Sequence, residues 1–166
     1  MPAEDSFEEF FRLSFRRVVG QVFLLTGDLH EAEDLVQEAF SRALTRWRRI
    51  REFDAPEAWV RRVAFNLAAN RARGQRRRLA ILARLAPPPE VPPASGEVIA
   101  LLEALRRLPM SQRQPVVLHY LLDLPVEQVA AEVGTSTGNV KVRLFRARRA
   151  LAERLGSQQE EALRDG

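Results

Sequence analysis

The chain has 166 residues, enough for one ordinary domain or two small ones, with 46% hydrophobic residues, 29% charged residues and a net charge of +4. It contains no cysteine, which excludes disulfides and thiolate metal sites and fits a reducing compartment. No apolar run approaches the roughly 18 residues of a membrane span, and the acidic N-terminus lacks the pattern of a secretory signal. We therefore expect a cytoplasmic protein with no membrane association.

Charge is unevenly distributed along the chain. Residues 4–38 hold nine acidic residues against three arginines, whereas residues 42–78 hold twelve arginines against three acids. Residues 137–155 hold six cations against one acid. Basic patches are typical of polyanion binding, and an acidic block beside them indicates a second, different partner.

Apolar residues recur at helical spacing throughout, and no long stretch alternates with period two, so we predict an all-α fold. The proline-rich stretch 86–97 favours an extended spacer between two small helical domains. The predicted organisation is an N-terminal domain at 1–80, a linker at 81–97, a C-terminal domain at 98–156 and a short tail at 157–166.

The first domain contains predicted helices at 5–25, 29–49, 55–73 and 75–85. The second of these buries a stripe formed by Leu29, Ala32, Val36, Ala39, Phe40, Ala43 and Trp47. Its opposite stripe comprises Glu31, Asp34, Leu35, Glu38 and Arg42. An exposed Leu35 beside Asp34 and Glu38 favours a docking face for a basic partner helix. The alternatives are a solvated acidic face, with Glu38 and Arg42 paired, and a divalent-metal site. The metal site is less favoured because no histidine or second segment converges on these acids.

The third predicted helix carries an exposed stripe of one aromatic side chain among arginines and asparagines: Trp59, Arg62, Asn66, Asn70 and Arg73. Such a face can stack bases, form hydrogen bonds with their edges and neutralise phosphates. A polar helix face with Trp59 partly in the core is the alternative. The arginine cluster at 76–78 favours nucleic-acid binding.

The second domain contains predicted helices at 97–107, 111–122, 126–133 and 137–155. The last two are joined by a short turn at Gly134, which is the layout of a helix-turn-helix. The final helix buries Val140, Leu144, Ala147, Leu151 and Leu155. Its remaining surface is basic, and the residues predicted to contact DNA are Lys141, Val142, Arg143, Phe145, Arg146 and Arg149.

Three stretches in this order resemble the extracytoplasmic-function (group IV) sigma factors of bacterial RNA polymerase, and most closely the short actinobacterial SigE-type subfamily. They are "AEDLVQEAFSRA", "PEAWVRRVAFNLAANRARGQRRR" and "LPMSQRQPVVLHYLLDLPVEQVAAEVGTSTGNVKVRLFRARRAL". The resemblance covers about 7–155. It implies a sigma-2 domain, a linker and a sigma-4 helix-turn-helix domain, which direct core RNA polymerase to one class of promoter.

The resemblance also implies roles for single residues. Asp34, Leu35, Gln37, Glu38 and Arg42 would dock on the clamp helices of the polymerase β′ subunit. Trp59, Arg62, Asn66 and Asn70 would face the −10 element, and the loop 48–54 would capture a flipped base of the non-template strand. Lys141, Val142, Phe145 and Arg146 would face the −35 element. Further expected partners are the polymerase β flap and an anti-sigma factor. We expect no cofactor, metal or catalytic residue.

Two other functions compete with this hypothesis. An autonomous helix-turn-helix regulator would bind an operator without core polymerase, but it needs neither an acidic docking helix nor the Trp59 stripe. A metal-dependent nuclease would use the acids of 28–38, but no second segment converges on them.

The sequence departs from the family pattern at Val142, where the sigma factors that it resembles commonly carry a small polar residue.

Overall fold

The computed structural model describes residues 2–82 and 95–164, and every regular element in those two ranges is helical. The chain divides into two compact units. Unit one comprises α1 (Pro2–Thr26), α2 (Leu29–Thr45), α3 (Trp47–Ile50) and α4 (Pro56–Leu82). Unit two comprises α5 (Gly96–Arg107), α6 (Met110–Val116), a π-helical turn (Val117–Leu121), α7 (Val126–Val133) and α8 (Thr137–Arg164). The predicted all-α fold is confirmed.

Helices α1, α2 and α4 pack against one another and form the core of unit one. Because α2 contacts two neighbours, its buried arc is wider than a single stripe and includes Leu35, which is 0% exposed. The prediction of an exposed Leu35 is therefore wrong. Leu29, which was expected in the buried stripe, is 37% exposed.

The predicted helix 29–49 is interrupted. Arg46 has φ −120° and ψ 14°, so α2 ends at Thr45 and the chain turns before α3 begins at Trp47. The Trp47 ring then stacks on Phe10, with centroids 4.9 Å apart, and meets Phe7 edge-on at 5.3 Å. This aromatic packing fixes the direction of α3 against α1.

Helix α4 joins the predicted segments 55–73 and 75–85 without a break as far as Leu82, the last residue described there. Gly74 lies inside it, and a Cβ built there would meet nothing within 4 Å. The helix covers the first two residues of the predicted linker, whereas the stretch 83–94 lies outside the described residues. None of the helices in the described ranges is both long and apolar enough to cross a membrane.

In unit two, α7 and α8 form the predicted helix-turn-helix. Gly134 has φ +77°, a left-handed conformation that favours glycine, and its N–H donates to the Ala130 carbonyl at 2.9 Å. Ser136 Oγ accepts the Asn139 N–H at 3.1 Å and so caps α8. Val129 and Val140 are both 0% exposed where the helices pack.

The segment before α7 differs from the predicted helix 111–122. It is divided into α6 and the π-helical turn, in which the Leu122 N–H donates to the Val117 carbonyl at 3.0 Å. Pro115 lies near the end of α6. Toward the C-terminus, α8 continues to Arg164, so the predicted tail from 157 is helical as far as that residue.

Candidate nucleic-acid interface

The exposed face of α8 contains the residues that the sequence predicted there. Lys141, Val142, Phe145, Arg146 and Arg149 are exposed and Arg143 is half-buried. Val140, Leu144 and Ala147, on the opposite side, are at most 3% exposed. This separation arises because residues three and four apart share one side of a helix. The result is a rigid, convex, cationic ridge.

Two apolar side chains lie on this ridge among the arginines. Val142 is 47% exposed and Phe145 is 54% exposed. The Arg149 guanidinium carbon lies 5.9 Å from the Phe145 ring centroid, within the range of a cation–π contact. Apolar groups at such exposure suit contact with thymine methyl groups, and the arginines suit guanine edges or phosphates.

The Trp59 stripe also lies on one surface, along the first half of α4. Arg62, Asn66, Asn70 and Arg73 are exposed and Trp59 is half-buried. Arg73 Nη2 donates to Asn70 Oδ1 at 2.7 Å, so these two side chains are already oriented together. Trp59 partly enters the core, as the alternative interpretation proposed, yet it keeps an accessible surface.

A cleft of about 360 Å³ lies beside Trp59. We call it the Trp59 cleft; its lining residues are Arg46, Arg49, Ile50, Phe53, Trp59 and Arg62. Ile50, 1% exposed, anchors α3 in the core, while Phe53 is 39% exposed. The cleft thus combines aromatic surface with guanidinium groups, which suits a planar group that carries hydrogen-bond acceptors.

Arg46 was not among the predicted contacts. Trp59 and Arg62 were predicted to face the −10 element, and the other three lining residues lie in the predicted loop 48–54. The residues converge because the chain turns at Arg46 and α3 packs back against unit one. No proline or glycine marks that turn in the sequence. The run of arginines with an exposed aromatic at Phe53 was the one available signal.

The predicted docking residues form a third surface on α2, without Leu35. Asp34, Gln37 and Arg42 are exposed and Glu38 is half-buried. Arg42 Nη2 lies 2.7 Å from Glu38 Oε1, which is the predicted ion pair four residues apart. Leu35 supports this surface from the core.

Within the described ranges, no group of three or more His, Asp or Glu side chains is placed to hold a metal ion.

Two family models match the chain. Residues 10–78 match Sigma-70 region 2, and residues 99–151 match Sigma-70, region 4. The first match includes the α2 surface and the Trp59 cleft, and the second includes the helix-turn-helix.

Whole-chain relatives agree with these matches. The chain is 30% identical over 151 residues to the RNA polymerase sigma-E factor of Streptomyces coelicolor. This alignment covers 90% of this chain and 85% of that protein. It is 27% identical to the ECF RNA polymerase sigma factor SigW of Bacillus subtilis, covering 92% and 90% of the two chains. The sigma factor RpoE of Bartonella quintana, solved in complex with the anti-sigma factor NepR, shares the fold, with a TM-score of 0.74 and 23% identity over 91% of this chain and 97% of that one.

Proposed function

The chain belongs to the extracytoplasmic-function sigma factors of bacterial RNA polymerase, and we propose that its two units divide promoter recognition between them. Unit two binds the −35 element as duplex, and unit one captures bases of the −10 element on the non-template strand. One observation carries this assignment: a groove-sized cationic helix and a cleft of aromatic and guanidinium groups occur in the same chain.

The ridge of α8 enters the major groove at the −35 element. Arg146 and Lys141 reach guanine edges or phosphates, and Phe145 and Val142 contact thymine methyl groups. Arg143 and Arg149 add positive charge toward the backbone. Because α8 is anchored by the buried Val140 and by the Ser136 cap, these side chains are presented by a rigid element.

Unit one binds unpaired bases. The Trp59 and Phe53 rings provide stacking surface, while Arg46, Arg49 and Arg62 provide only hydrogen-bond donors for base acceptors and phosphates. Removing one base from the duplex costs a few kcal/mol. Stacking on an aromatic side chain recovers about 1–3 kcal/mol per base, so capture offsets much of that cost and stabilises the open strand.

Further along α4, Asn66, Asn70 and Arg73 continue the same surface. The asparagine amides can form hydrogen bonds with base edges, and Arg73 can neutralise a phosphate. The domain organisation that accompanies this assignment keeps the proposed boundaries near 80 and 98, with α8 extending beyond 156.

Core polymerase binds the α2 surface. Asp34, Gln37, Glu38 and Arg42 face outward, and their mainly acidic character complements a basic coiled-coil partner such as the clamp helices of β′. Unit two contacts the β flap. An anti-sigma factor also binds the chain, as NepR binds the sigma factor RpoE of Bartonella quintana. The protein acts in the cytoplasm and contributes no catalytic group, because the chemistry of RNA synthesis belongs to polymerase.

The test is reconstitution with core RNA polymerase. The chain and core are mixed with a pool of random duplexes, bound duplexes are enriched, and the selected fragments are used as templates for runoff transcription. We expect discrete transcripts that require both the chain and core. Tight sequence-specific binding by the chain alone, with no effect on transcription, would instead identify an autonomous regulator. Metal-dependent cleavage of the fragments would identify a nuclease.

A further inference from the structure

A hydrogen bond in unit two joins two exposed side chains that are 28 residues apart and that were not among the predicted DNA contacts. Arg148 Nη1 donates to the Tyr120 hydroxyl at 2.7 Å. Tyr120 is 43% exposed, and Arg148 is exposed on α8. We propose that Tyr120 and Arg148 together form a binding site for one backbone phosphate of the −35 duplex. This inference rests on the proposed function of unit two.

The position of Tyr120 is defined by its own segment. The π-helical turn closes through the Leu122 N–H and the Val117 carbonyl, 3.0 Å apart, and the Tyr120 ring meets the His119 ring edge-on at 4.8 Å. His119 Nδ1 lies 2.7 Å from the Leu124 carbonyl oxygen, so this nitrogen carries the proton and donates it. These contacts hold the phenol beside α8 before any ligand arrives.

The chemistry of the pair selects an anion. A guanidinium has donors and no acceptor, so the phenol oxygen must accept in the bond from Arg148. The hydroxyl hydrogen of Tyr120 and the remaining N–H groups of Arg148 are then available to a second group. A phosphate offers only acceptors and a negative charge, so it can bind both side chains at once through charge-assisted hydrogen bonds.

The location of the pair favours a backbone phosphate over a base. Arg148 lies at the edge of the α8 ridge, between the buried Ala147 side and the exposed Phe145 side. Lys141, seven residues earlier, lies two turns away on the same edge. When a helix occupies the major groove, base edges face its outermost side and the phosphates of the flanking strands face its edges.

The experiment uses holoenzyme assembled with the wild-type chain or with Tyr120→Phe, which removes only the hydroxyl. The probe is a promoter duplex enriched by wild-type holoenzyme, with single phosphates of the −35 region replaced in turn by neutral methylphosphonate. We expect Tyr120→Phe to weaken binding to the unmodified duplex about 3- to 10-fold. One methylphosphonate position should weaken the wild type by at least this factor and should have a smaller effect on Tyr120→Phe, which keeps only the Arg148 contact to that phosphate.

Further variants and a stability measurement distinguish a shared phosphate site from a general loss of DNA affinity or of stability. Arg148→Met should weaken binding at the same phosphate, and adding Tyr120→Phe to it should change little, because the two side chains act on one group. Ser111→Ala removes another exposed hydroxyl of unit two and should bind as the wild type does. Thermal unfolding of the Tyr120→Phe chain should match that of the wild type, since the hydroxyl is exposed.

Several results would overturn the inference. Tyr120→Phe could bind the unmodified duplex as tightly as the wild type, or show an unchanged pattern of methylphosphonate effects. Alternatively, Tyr120→Ala could weaken core assembly while Tyr120→Phe changes nothing, which would identify the ring as a polymerase contact beside the exposed Leu121. If wild-type holoenzyme enriches no duplex at all, the proposed function itself fails, and that outcome is distinct from the others.

Discussion

The α8 ridge and the Trp59 cleft are built from the same kinds of side chain but have opposite shapes. On α8, Phe145 projects from a convex helix and is 54% exposed, with Arg149 over its ring. In unit one, the aromatic rings of Trp59 and Phe53 line a concavity of about 360 Å³ together with arginines. Composition alone would assign both regions to nucleic-acid binding without distinguishing them.

Shape distinguishes the two tasks. The base edges of duplex DNA lie at the bottom of a groove, so only a projecting element such as α8 reaches them. An unpaired base has two faces and a free edge, so it is held best between rings and donors inside a cleft. We therefore propose that unit two binds DNA as an intact duplex, whereas unit one stabilises the non-template strand after the duplex has opened.

The largest expected effect comes from reversing the charge at the centre of the ridge. Arg146→Glu should weaken holoenzyme binding to a −35 duplex fragment roughly 100-fold, because a guanine or phosphate contact is lost and a repulsion replaces it. Binding to a single-stranded −10 oligonucleotide should stay unchanged. Arg107→Glu, an equal charge change at an exposed position of α5, is the matched control. Equal losses in both variants would mean that overall charge, rather than the ridge, determines binding.

The next effect tests the cleft. Trp59→Ala should weaken holoenzyme binding to the single-stranded −10 non-template oligonucleotide about 10-fold, because one stacking surface is lost. Trp59→Phe keeps an aromatic face and should retain most of the affinity. Fluorescence anisotropy with labelled oligonucleotide and with labelled −35 duplex measures the two affinities in the same protein preparation. A loss at the −35 duplex as large as that at the oligonucleotide would contradict the division between the units.

A smaller effect concerns the turn that orients α8. Gly134→Ala should lower the free energy of unfolding of unit two by about 1 kcal/mol, because Gly134 has φ +77° and alanine is strained there. Gly74→Ala, inside α4, should raise the stability of unit one by about 0.5–1 kcal/mol. A Cβ meets nothing within 4 Å at either site, so backbone conformation alone separates the two variants.

Denaturant-dependent hydrogen exchange, resolved by unit, measures these two changes separately. Helix α8 should lose protection in Gly134→Ala and keep it in Gly74→Ala. Unchanged or increased protection of α8 in Gly134→Ala would show that the left-handed conformation of Gly134 does not determine the stability of this turn.

The smallest effect concerns the α2 surface, which is the proposed docking site for core polymerase. Glu38→Gln should weaken assembly with core about 3-fold, because it removes one charge from the interface. Stability should change by less than about 0.5 kcal/mol, since the Glu38–Arg42 pair is substantially exposed. Glu103→Gln on α5 is the control, and competition for core against a labelled wild-type chain is the measurement. Assembly equal to that of the wild type would remove Glu38 from the docking surface.

The sequence was most informative where structure is determined locally. The helix-turn-helix followed from Gly134 and the apolar spacing of α8, both of which act within a few residues. The exposed stripes of α4 and α8 followed from helical periodicity for the same reason.

It was least informative where distant segments decide the outcome. Leu35 is buried because α2 packs against both α1 and α4, which its own periodicity cannot reveal. The turn at Arg46 depends on Trp47 packing against α1 rings, and the Trp59 cleft exists only because of that turn. The Tyr120–Arg148 bond joins segments 28 residues apart and has no sequence signal of its own.

Permanganate footprinting of a complete promoter tests the division of labour most directly. Holoenzymes carrying Trp59→Ala or Arg146→Ala are compared at concentrations that saturate the promoter, and the reactivity of unpaired thymines near −10 is measured. We predict that the Trp59→Ala complex is bound but unreactive, whereas the Arg146→Ala complex needs a higher concentration and is reactive once bound. Equal reactivity in the two saturated complexes, or a closed Arg146→Ala complex beside an open Trp59→Ala complex, would contradict the account.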